Sequence, residues 1–285
     1  MLSFNYIYTP KFQVTFNPVT RTVLPWFDEL SINAQNIARS TNKPLYVFMS
    51  GGIDSELVAR MFLLNDIPFQ AITLKHSNGA NSYDTKYADR FCCENGIKQH
   101  TFKLNFNDFI TRQISRFIQQ GYKSTNIYNY MQLLLLEYVE ELGGFGVGGA
   151  GEQVYYNIND QLSLKINPSY VIGMDWCKNN SAHHQWWFNL HSPELYASYM
   201  QIDLVKFLLN HPLYFKSQCH GSIEKTLIYH AYFPDMQQRQ KTGGFQNVGQ
   251  LRNQKEYEFR YLFPELTDQY IKVTDVKSQL GVNLE

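Results

Sequence analysis

Residues 44–55 constrain the fold of this chain more than any other stretch. They read Pro-Leu-Tyr-Val-Phe-Met-Ser-Gly-Gly-Ile-Asp-Ser, so a short apolar run ends in small residues. The apolar run at 45–49 is typical of a buried parallel strand. In residues 56–64 apolar side chains recur at helical spacing, which predicts an amphipathic helix. The stretch therefore predicts a strand, a tight loop and a helix in that order.

The predicted loop has the features of an anion site. Gly51 and Gly52 have no Cβ, so a ligand can approach the backbone and positive φ angles are allowed. Ser50 and Ser55 add hydroxyl groups, and the free N–H groups of a helix start point into the same space. We therefore expect this loop to bind phosphate.

Asp54 should repel phosphate unless a cation lies between them, and Mg²⁺ is the expected ion. The loop has neither the Gly-Lys-Ser/Thr ending of a Walker A loop nor the G-x-G-x-x-G pattern of dinucleotide-binding proteins. A purely structural interpretation, a Gly-Gly turn with Asp54 and Ser55 as helix caps, explains the glycines but not all six residues.

Length and composition narrow the class of protein. The 285 residues predict one α/β domain with an appendage, and 44% hydrophobic residues are enough for a large core. The 25 basic and 25 acidic residues cancel, which gives no support for a broad nucleic-acid surface. No apolar run is long enough for a membrane span and the N-terminus lacks a secretion signal, so we expect a cytoplasmic protein without membrane partners.

Strand and helix patterns alternate through the first half of the chain. This alternation predicts an α/β fold in which a parallel twisted sheet is covered by helices on both faces. The predicted strands after the first are residues 69–74, 99–104 and 145–147, and the predicted helices are 25–39, 83–94, 107–119 and 127–142. We expect residues 1–24 to form a β-rich extension and 25–160 to form the nucleotide-binding domain.

The remaining residues, 161–285, are predicted to be a mainly helical, aromatic-rich region on the substrate side of the same domain. Strands are expected at 163–166 and 171–173. Helices are expected at 186–190, 193–209 and 223–233.

Ligands of parallel α/β sheets bind beyond the carboxyl ends of the strands. Three loops are expected at that edge: the loop at 50–55, the loop at 76–82 after the second strand, and the glycine-rich stretch around Gly148 and Gly149. Leu74 and His76, at the end of the second strand, are therefore predicted nucleotide contacts. Arg239 and Lys241 follow a predicted helix beside two glycines, a place from which cations can reach a phosphate.

These motifs, taken in order, resemble the synthetase domain of asparagine synthetases and β-lactam synthetases. Ser-Gly-Gly-Ile-Asp-Ser is similar to the pyrophosphate loop of the N-type ATP pyrophosphatases, the superfamily to which both belong. Residues 147–155 resemble the second family motif, GEGxDE, and residues 233–241 resemble the segment that carries a catalytic lysine. The resemblance extends over about residues 25–245 and implies the adenine nucleotide alpha-hydrolase-like fold.

The resemblance implies an AMP-forming ATP-dependent ligase that adenylates a small-molecule carboxylate and then forms an amide. ATP is the cosubstrate, and Ser50, Gly51, Gly52 and Ser55 are expected to hold its β- and γ-phosphates. By the same resemblance Asp54 holds Mg²⁺. Lys241 and, more weakly, Arg239 stabilise developing charge. Glu152 contacts a second metal ion or the substrate.

Two departures separate this chain from a standard glutamine-dependent asparagine synthetase. Gly149 stands where the family motif has its first Glu, which helps to activate the nucleophile. We also expect no glutaminase domain, because residue 2 is Leu and only about forty residues precede the strand, so we expect ammonia from a separate glutaminase or another amine.

Two other functions stay open. A tRNA-modifying or other RNA-modifying enzyme on the same sheet would require a basic face, and thiolation would also require a placed cysteine. A nucleotide-binding protein without catalysis would be consistent with Gly149. The substrate is decided by the shape of the pocket in the aromatic half, and sequence patterns do not predict that shape.

Overall fold

A computed structural model describes residues 4–9, 11–149, 154–158, 161–211, 222–237, 239, 249–266 and 268–282. Its centre is a four-stranded parallel sheet of order β5-β4-β3-β6, formed by β3 (Leu45–Phe48), β4 (Gln70–His76), β5 (Gln99–Leu104) and β6 (Phe145–Val147). All four residues of β3 are buried. Helices flank this sheet, and the predicted α/β fold class is confirmed.

The helices of the first half follow the predicted alternation. They are α1 (Trp26–Arg39), α2 (Ile53–Leu64), α3 (Ser82–Glu94), α4 (Phe106–Asp108), α5 (Ile114–Gln119) and α6 (Ile127–Glu141). A π-helical turn, Phe109–Gln113, joins α4 to α5, so the helix predicted at 107–119 is present with a local widening. Leu30, Ala34 and Ile37 of α1 are fully buried and Phe27 is partly buried, so this side of α1 faces the core.

The N-terminal hairpin packs on the C-terminal half of the chain. Strands β1 (Phe4–Thr9) and β2 (Lys11–Phe16) pair antiparallel. The Tyr6 hydroxyl donates to Asp175 Oδ1 at 2.7 Å, and the Phe16 N–H donates to Gln279 Oε1 at 2.8 Å. The hairpin is therefore a cover over residues more than 160 positions away in the sequence.

The second half is helical with one small antiparallel sheet, β7-β8-β9. Its strands are β7 (Val154–Ile158), β8 (Gln161–Ile166) and β9 (Gln269–Lys272), and its helices are α7 (Ile172–Asn179), α8 (Pro193–Met200), α9 (Asp203–Asn210), α10 (Ser222–Tyr232), α11 (Gly249–Leu262) and α12 (Val273–Leu280). Only β8 was among the predicted strands. The expected boundary at residue 160 falls between two strands that pair with each other, and the division into regions stays a prediction.

Three predictions in this half are wrong. The short apolar run at 171–173 is helical, since it joins the 3-10 turn Pro168–Val171 to α7. At 186–190 only Phe188–Leu190 is a 3-10 turn, because Gln185 and Trp187 bridge to Val147 and Gly149 at the end of β6. The single helix expected at 193–209 is two helices, α8 and α9. Among the described residues, no helix is both long and apolar enough to cross a membrane.

Candidate nucleotide site

The loop between β3 and α2 is built from small residues and local hydrogen bonds. Gly51 has φ +81°, in the left-handed region, and a Cβ there would lie 2.0 Å from the carbonyl oxygen of Asp84. The Ser55 hydroxyl donates to the Gly52 carbonyl at 2.9 Å, and the Gly52 N–H donates to Ser50 Oγ at 3.3 Å. The two serine hydroxyls lie 3.4 Å apart. Only glycine fits at position 51, and the loop places both serines together at the start of α2.

A cavity of about 270 Å³ lies beside this loop at the carboxyl edge of the sheet. It is lined by Phe48, Met49, Ser50, Asp54, Ser55, Ile72, Leu74, His76, Asn81, Asp84, Tyr128, Met131, Gln132, Leu135, Gly148, Gly149 and Trp186. The structure thus brings the predicted nucleotide contacts Ser50, Ser55, Leu74, His76 and the pair Gly148 and Gly149 to one cavity. The three converging loops predicted from the strand order meet here.

Sequence patterns did not reveal the far wall of the cavity. Tyr128, Met131, Gln132 and Leu135 form one stripe along α6, and this helical spacing was the only available signal. Among the described residues, Gln132 Oε1 and Trp186 Nε1 are buried without a hydrogen-bond partner. Buried polar atoms are normally satisfied, so these two are candidate contacts for a ligand.

One side chain, Asn81, hydrogen-bonds the backbone at the end of β4. Asn81 Oδ1 accepts from the His76 N–H at 2.9 Å, and Asn81 Nδ2 donates to the Leu74 carbonyl at 2.9 Å. Burial lowers the pKa of the His76 imidazole, so the ring is neutral near pH 7. Leu74 and His76 therefore present an uncharged surface to the cavity.

Asp54 has two partners on α10. Lys225 Nζ donates to Asp54 Oδ2 at 2.9 Å, and the Tyr229 hydroxyl donates to Oδ1 at 2.9 Å. Both donors lie on one face of α10, since they are four residues apart, and the Tyr229 ring stacks on Trp26 with centroids 5.6 Å apart. No local sequence pattern indicated Lys225, which places a positive charge beside Asp54.

Arg239 lies against the outside of the same loop. Its Nη1 donates to the Gly51 carbonyl at 2.7 Å, and its Nη2 forms an ion pair with Glu56. The other predicted charged residues, Glu152 and Lys241, lie outside the described residues. Their predicted roles stay predictions.

Gly149 has no room for a side chain. A Cβ at this position would lie 2.7 Å from the backbone carbon and oxygen of Asp54 and 2.8 Å from the Ser55 nitrogen. Real Cβ atoms do not approach backbone that closely, so the family Glu cannot be placed here without moving the nucleotide loop. The packing of the site therefore requires glycine at position 149, where the family motif has Glu.

The residues present are compatible with Mg²⁺ that arrives bound to a nucleotide. Such Mg²⁺ needs only one or two protein carboxylates in addition to phosphate oxygens. Each carboxylate oxygen can accept two hydrogen bonds, so Asp54 keeps acceptor capacity beside Lys225 and Tyr229. No group of three or more potential His, Cys, Asp or Glu ligands occurs in the part of the chain that the structure describes. Asp54 is the described residue that would hold the ion.

Comparison with protein families agrees with the first sequence motif, the nucleotide loop. Residues 31–142 match the family described as Asparagine synthase, which confirms the resemblance over the segment that contains the nucleotide loop and strands β3 to β5. This match supports an ATP-using synthetase. A search of curated proteins gives no match.

Solved structures of two synthetases are similar at low sequence identity. One is an NH3-dependent NAD synthetase from Campylobacter jejuni, with 15% identity and a TM-score of 0.35 over 83% of this chain and 96% of that chain. The other is an NMN synthetase from Francisella tularensis, with 11% identity and a TM-score of 0.37 over 85% of this chain and 94% of that chain.

Proposed function

We propose that this chain, whose residues 31–142 match the Asparagine synthase family, is an ATP-dependent synthetase that adenylates a small-molecule carboxylate and then forms an amide. The observation that carries the proposal is the meeting of Ser50, Ser55 and Asp54 at one cavity, with Lys225 bonded to Asp54. A triphosphate requires hydroxyl donors, N–H groups at a helix start and a carboxylate whose charge is offset by a cation.

In the first step a carboxylate oxygen of the substrate attacks the α-phosphorus of ATP. The bond between the α-phosphorus and its bridging oxygen breaks, and pyrophosphate leaves with the electron pair. Ser50, Ser55 and the N–H groups at the start of α2 hold the β- and γ-phosphates, and Lys225 offsets charge as pyrophosphate departs. Mg²⁺ at Asp54, when bound, neutralises further charge on the leaving group.

In the second step an amine nitrogen attacks the acyl carbon and AMP leaves. The nitrogen loses one proton, and an amide results. Lys241 is proposed to stabilise charge in these steps, and Glu152 to contact a metal ion or the substrate, both by resemblance. Ammonia from a separate glutaminase, or another amine, is the proposed nitrogen donor.

The packing of Gly149 favours a second candidate, a nucleotide-binding protein without catalysis. No side chain at position 149 can activate a nucleophile, because the backbone of Asp54 fills that space. Binding of ATP without turnover of any acid and amine would favour this candidate. The RNA-modifying alternative gains no support from a chain with 25 basic and 25 acidic residues.

Pyrophosphate release from ATP and Mg²⁺ tests the proposal. Common amino acids and other small carboxylic acids are screened with ammonia present, and Asp54→Ala is assayed in parallel. Release that depends on one acid and is lost in Asp54→Ala supports adenylation. ATP binding with no release for any acid contradicts it.

A further inference from the structure

The carbonyl of Gly51 accepts a hydrogen bond from Arg239, and neither of these residues lines the cavity. A trans peptide is planar, so the Gly51 C=O and the Gly52 N–H point in opposite directions. The Gly52 N–H donates to Ser50 Oγ at 3.3 Å, and Ser50 lines the cavity. A group that holds the Gly51 carbonyl from outside therefore also fixes the direction of the Gly52 N–H inside.

All three nitrogen groups of Arg239 are engaged. Nη1 donates to the Gly51 carbonyl at 2.7 Å, Nε donates to the Gln237 carbonyl at 3.2 Å, and Nη2 pairs with Glu56. The Arg239 side chain is 4% exposed, and its guanidinium carbon lies 4.6 Å from the centre of the Tyr87 ring. The guanidinium is thus enclosed by the nucleotide loop, α2 and α3.

A second arginine holds Glu56 in place. Arg60 Nε donates to Glu56 Oε1 at 2.9 Å, and Arg60 Nη2 donates to Asp235 Oδ2 at 2.8 Å. Asp235 itself is 72% exposed. The ion-pair chain runs from the surface to the loop, and its last member is the hydrogen bond to Gly51.

We propose that Arg239 is a positioning residue that holds the Gly51–Gly52 peptide so that the Gly52 N–H faces the pyrophosphate moiety of a bound nucleotide. This role rests on the proposed nucleotide binding. Arg239 acts from outside the loop, through the Gly51–Gly52 peptide. Glu56 balances the charge of Arg239 and the side chain is 4% exposed, so the proposal places Arg239 behind the loop and not in contact with phosphate.

Isothermal titration calorimetry with inorganic pyrophosphate and with adenosine, both with Mg²⁺, tests this role. Arg239→Met should weaken pyrophosphate binding about tenfold or more, a change of about 1.4 kcal/mol, and leave adenosine affinity within about twofold. Arg239→Lys should be as weak as Arg239→Met, because one ammonium cannot reproduce the fork to Gly51 and Glu56. Asp235→Asn, which breaks only the exposed end of the chain, is the matched control and should bind both probes as the wild type does.

Glu56 is buried beside Arg239, so Arg239→Met alone can fail to fold. The double variant Arg239→Met with Glu56→Gln removes both charges and gives the same readout. Unchanged pyrophosphate affinity, equal loss of both probes, or recovery by Arg239→Lys would each overturn the inference. A wild type that binds neither pyrophosphate nor ATP would instead contradict the proposed function.

Discussion

Lys225 Nζ lies 2.9 Å from Asp54 Oδ2, so a lysine from α10 neutralises the carboxylate at the centre of the nucleotide loop. The two side chains are largely buried, with 10% and 22% of their surfaces exposed. From the sequence we expect Mg²⁺ at Asp54, and that role stays a prediction. The structure adds a protein cation at Asp54 from a residue 171 positions further along the chain.

Replacing Lys225 by Met should weaken the binding of ATP. The variant leaves Asp54 without its cation, and the carboxylate then repels the phosphates. We expect an affinity loss of about tenfold or more, a change of about 1–2 kcal/mol, measured by calorimetry. Tyr229→Phe is the control, since it keeps the ring on Trp26 and removes an uncharged donor from Asp54 while Lys225 stays. Equal ATP affinity in Lys225→Met and the wild type would exclude Lys225 from the site.

Gly149→Ala should destabilise the protein and impair ATP binding. The added Cβ meets the backbone of Asp54 at 2.7 Å, so the nucleotide loop must shift. Overpacking of this kind costs about 1–3 kcal/mol in the free energy of unfolding, which thermal or urea denaturation measures. Gly173→Ala is the matched control, because its nearest neighbour would be Leu136 Cδ1 at 3.7 Å. Wild-type stability and ATP affinity in Gly149→Ala would show that the loop has more room than the structure indicates.

Much of the nucleotide half could be predicted because its signals are local. The apolar strands, the Gly-Gly turn and the helical periodicity of α2 and α3 each occupy one short stretch. The β9 strand, at Gln269–Lys272, was missed because its partner β8 lies about a hundred residues earlier. The run at 171–173 was misassigned because a three-residue apolar run does not distinguish strand from helix. The contact between Lys225 and Asp54 is likewise a product of tertiary packing and has no local pattern.

His184 should make stability depend on pH. Its Nδ1 accepts from the Gly146 N–H at 2.9 Å, and its Nε2 lies 3.0 Å from Glu140 Oε1, with Lys43 and His183 also near. Burial is the main cause that lowers its pKa to about 4, although Glu140 opposes the shift.

The folded state therefore keeps this imidazole neutral while the unfolded state binds a proton below about pH 6.5. The stability contribution is complete above that pH and is lost as pH falls toward 4. We expect a loss of about 1.5 kcal/mol between pH 6.5 and 5 from this group, measured by urea denaturation, since half of the unfolded imidazoles are already protonated at pH 6.5.

His184→Asn provides the control for this pH dependence. Its amide oxygen can accept from the Gly146 N–H but does not titrate, so the loss of stability between pH 6.5 and 5 should be smaller by about that amount. Part of the pH dependence of stability should remain in this variant, because burial also lowers the pKa of His191 to about 4. If His184→Asn loses as much stability between pH 6.5 and 5 as the wild type does, His184 is not the group that causes this pH dependence.

Lys241→Ala should lower the rate of AMP formation about a hundredfold or more without unfolding the protein, since loss of one charge-stabilising donor typically has that effect. The rate is measured with the acid identified by the pyrophosphate screen, and circular dichroism checks folding. Lys255→Ala, which removes a surface ion pair with Glu258, is the control and should keep the wild-type rate. Wild-type turnover in Lys241→Ala would remove this lysine from the mechanism.

The products formed from ATP test the central claim most directly. The protein is incubated with ATP, Mg²⁺, ammonia and the screened acids, and the nucleotide and phosphate products are separated and quantified. The proposed attack at the α-phosphorus predicts AMP and pyrophosphate in equal amounts, dependent on the acid and absent in Asp54→Ala. Formation of ADP and inorganic phosphate by the wild type would contradict the account.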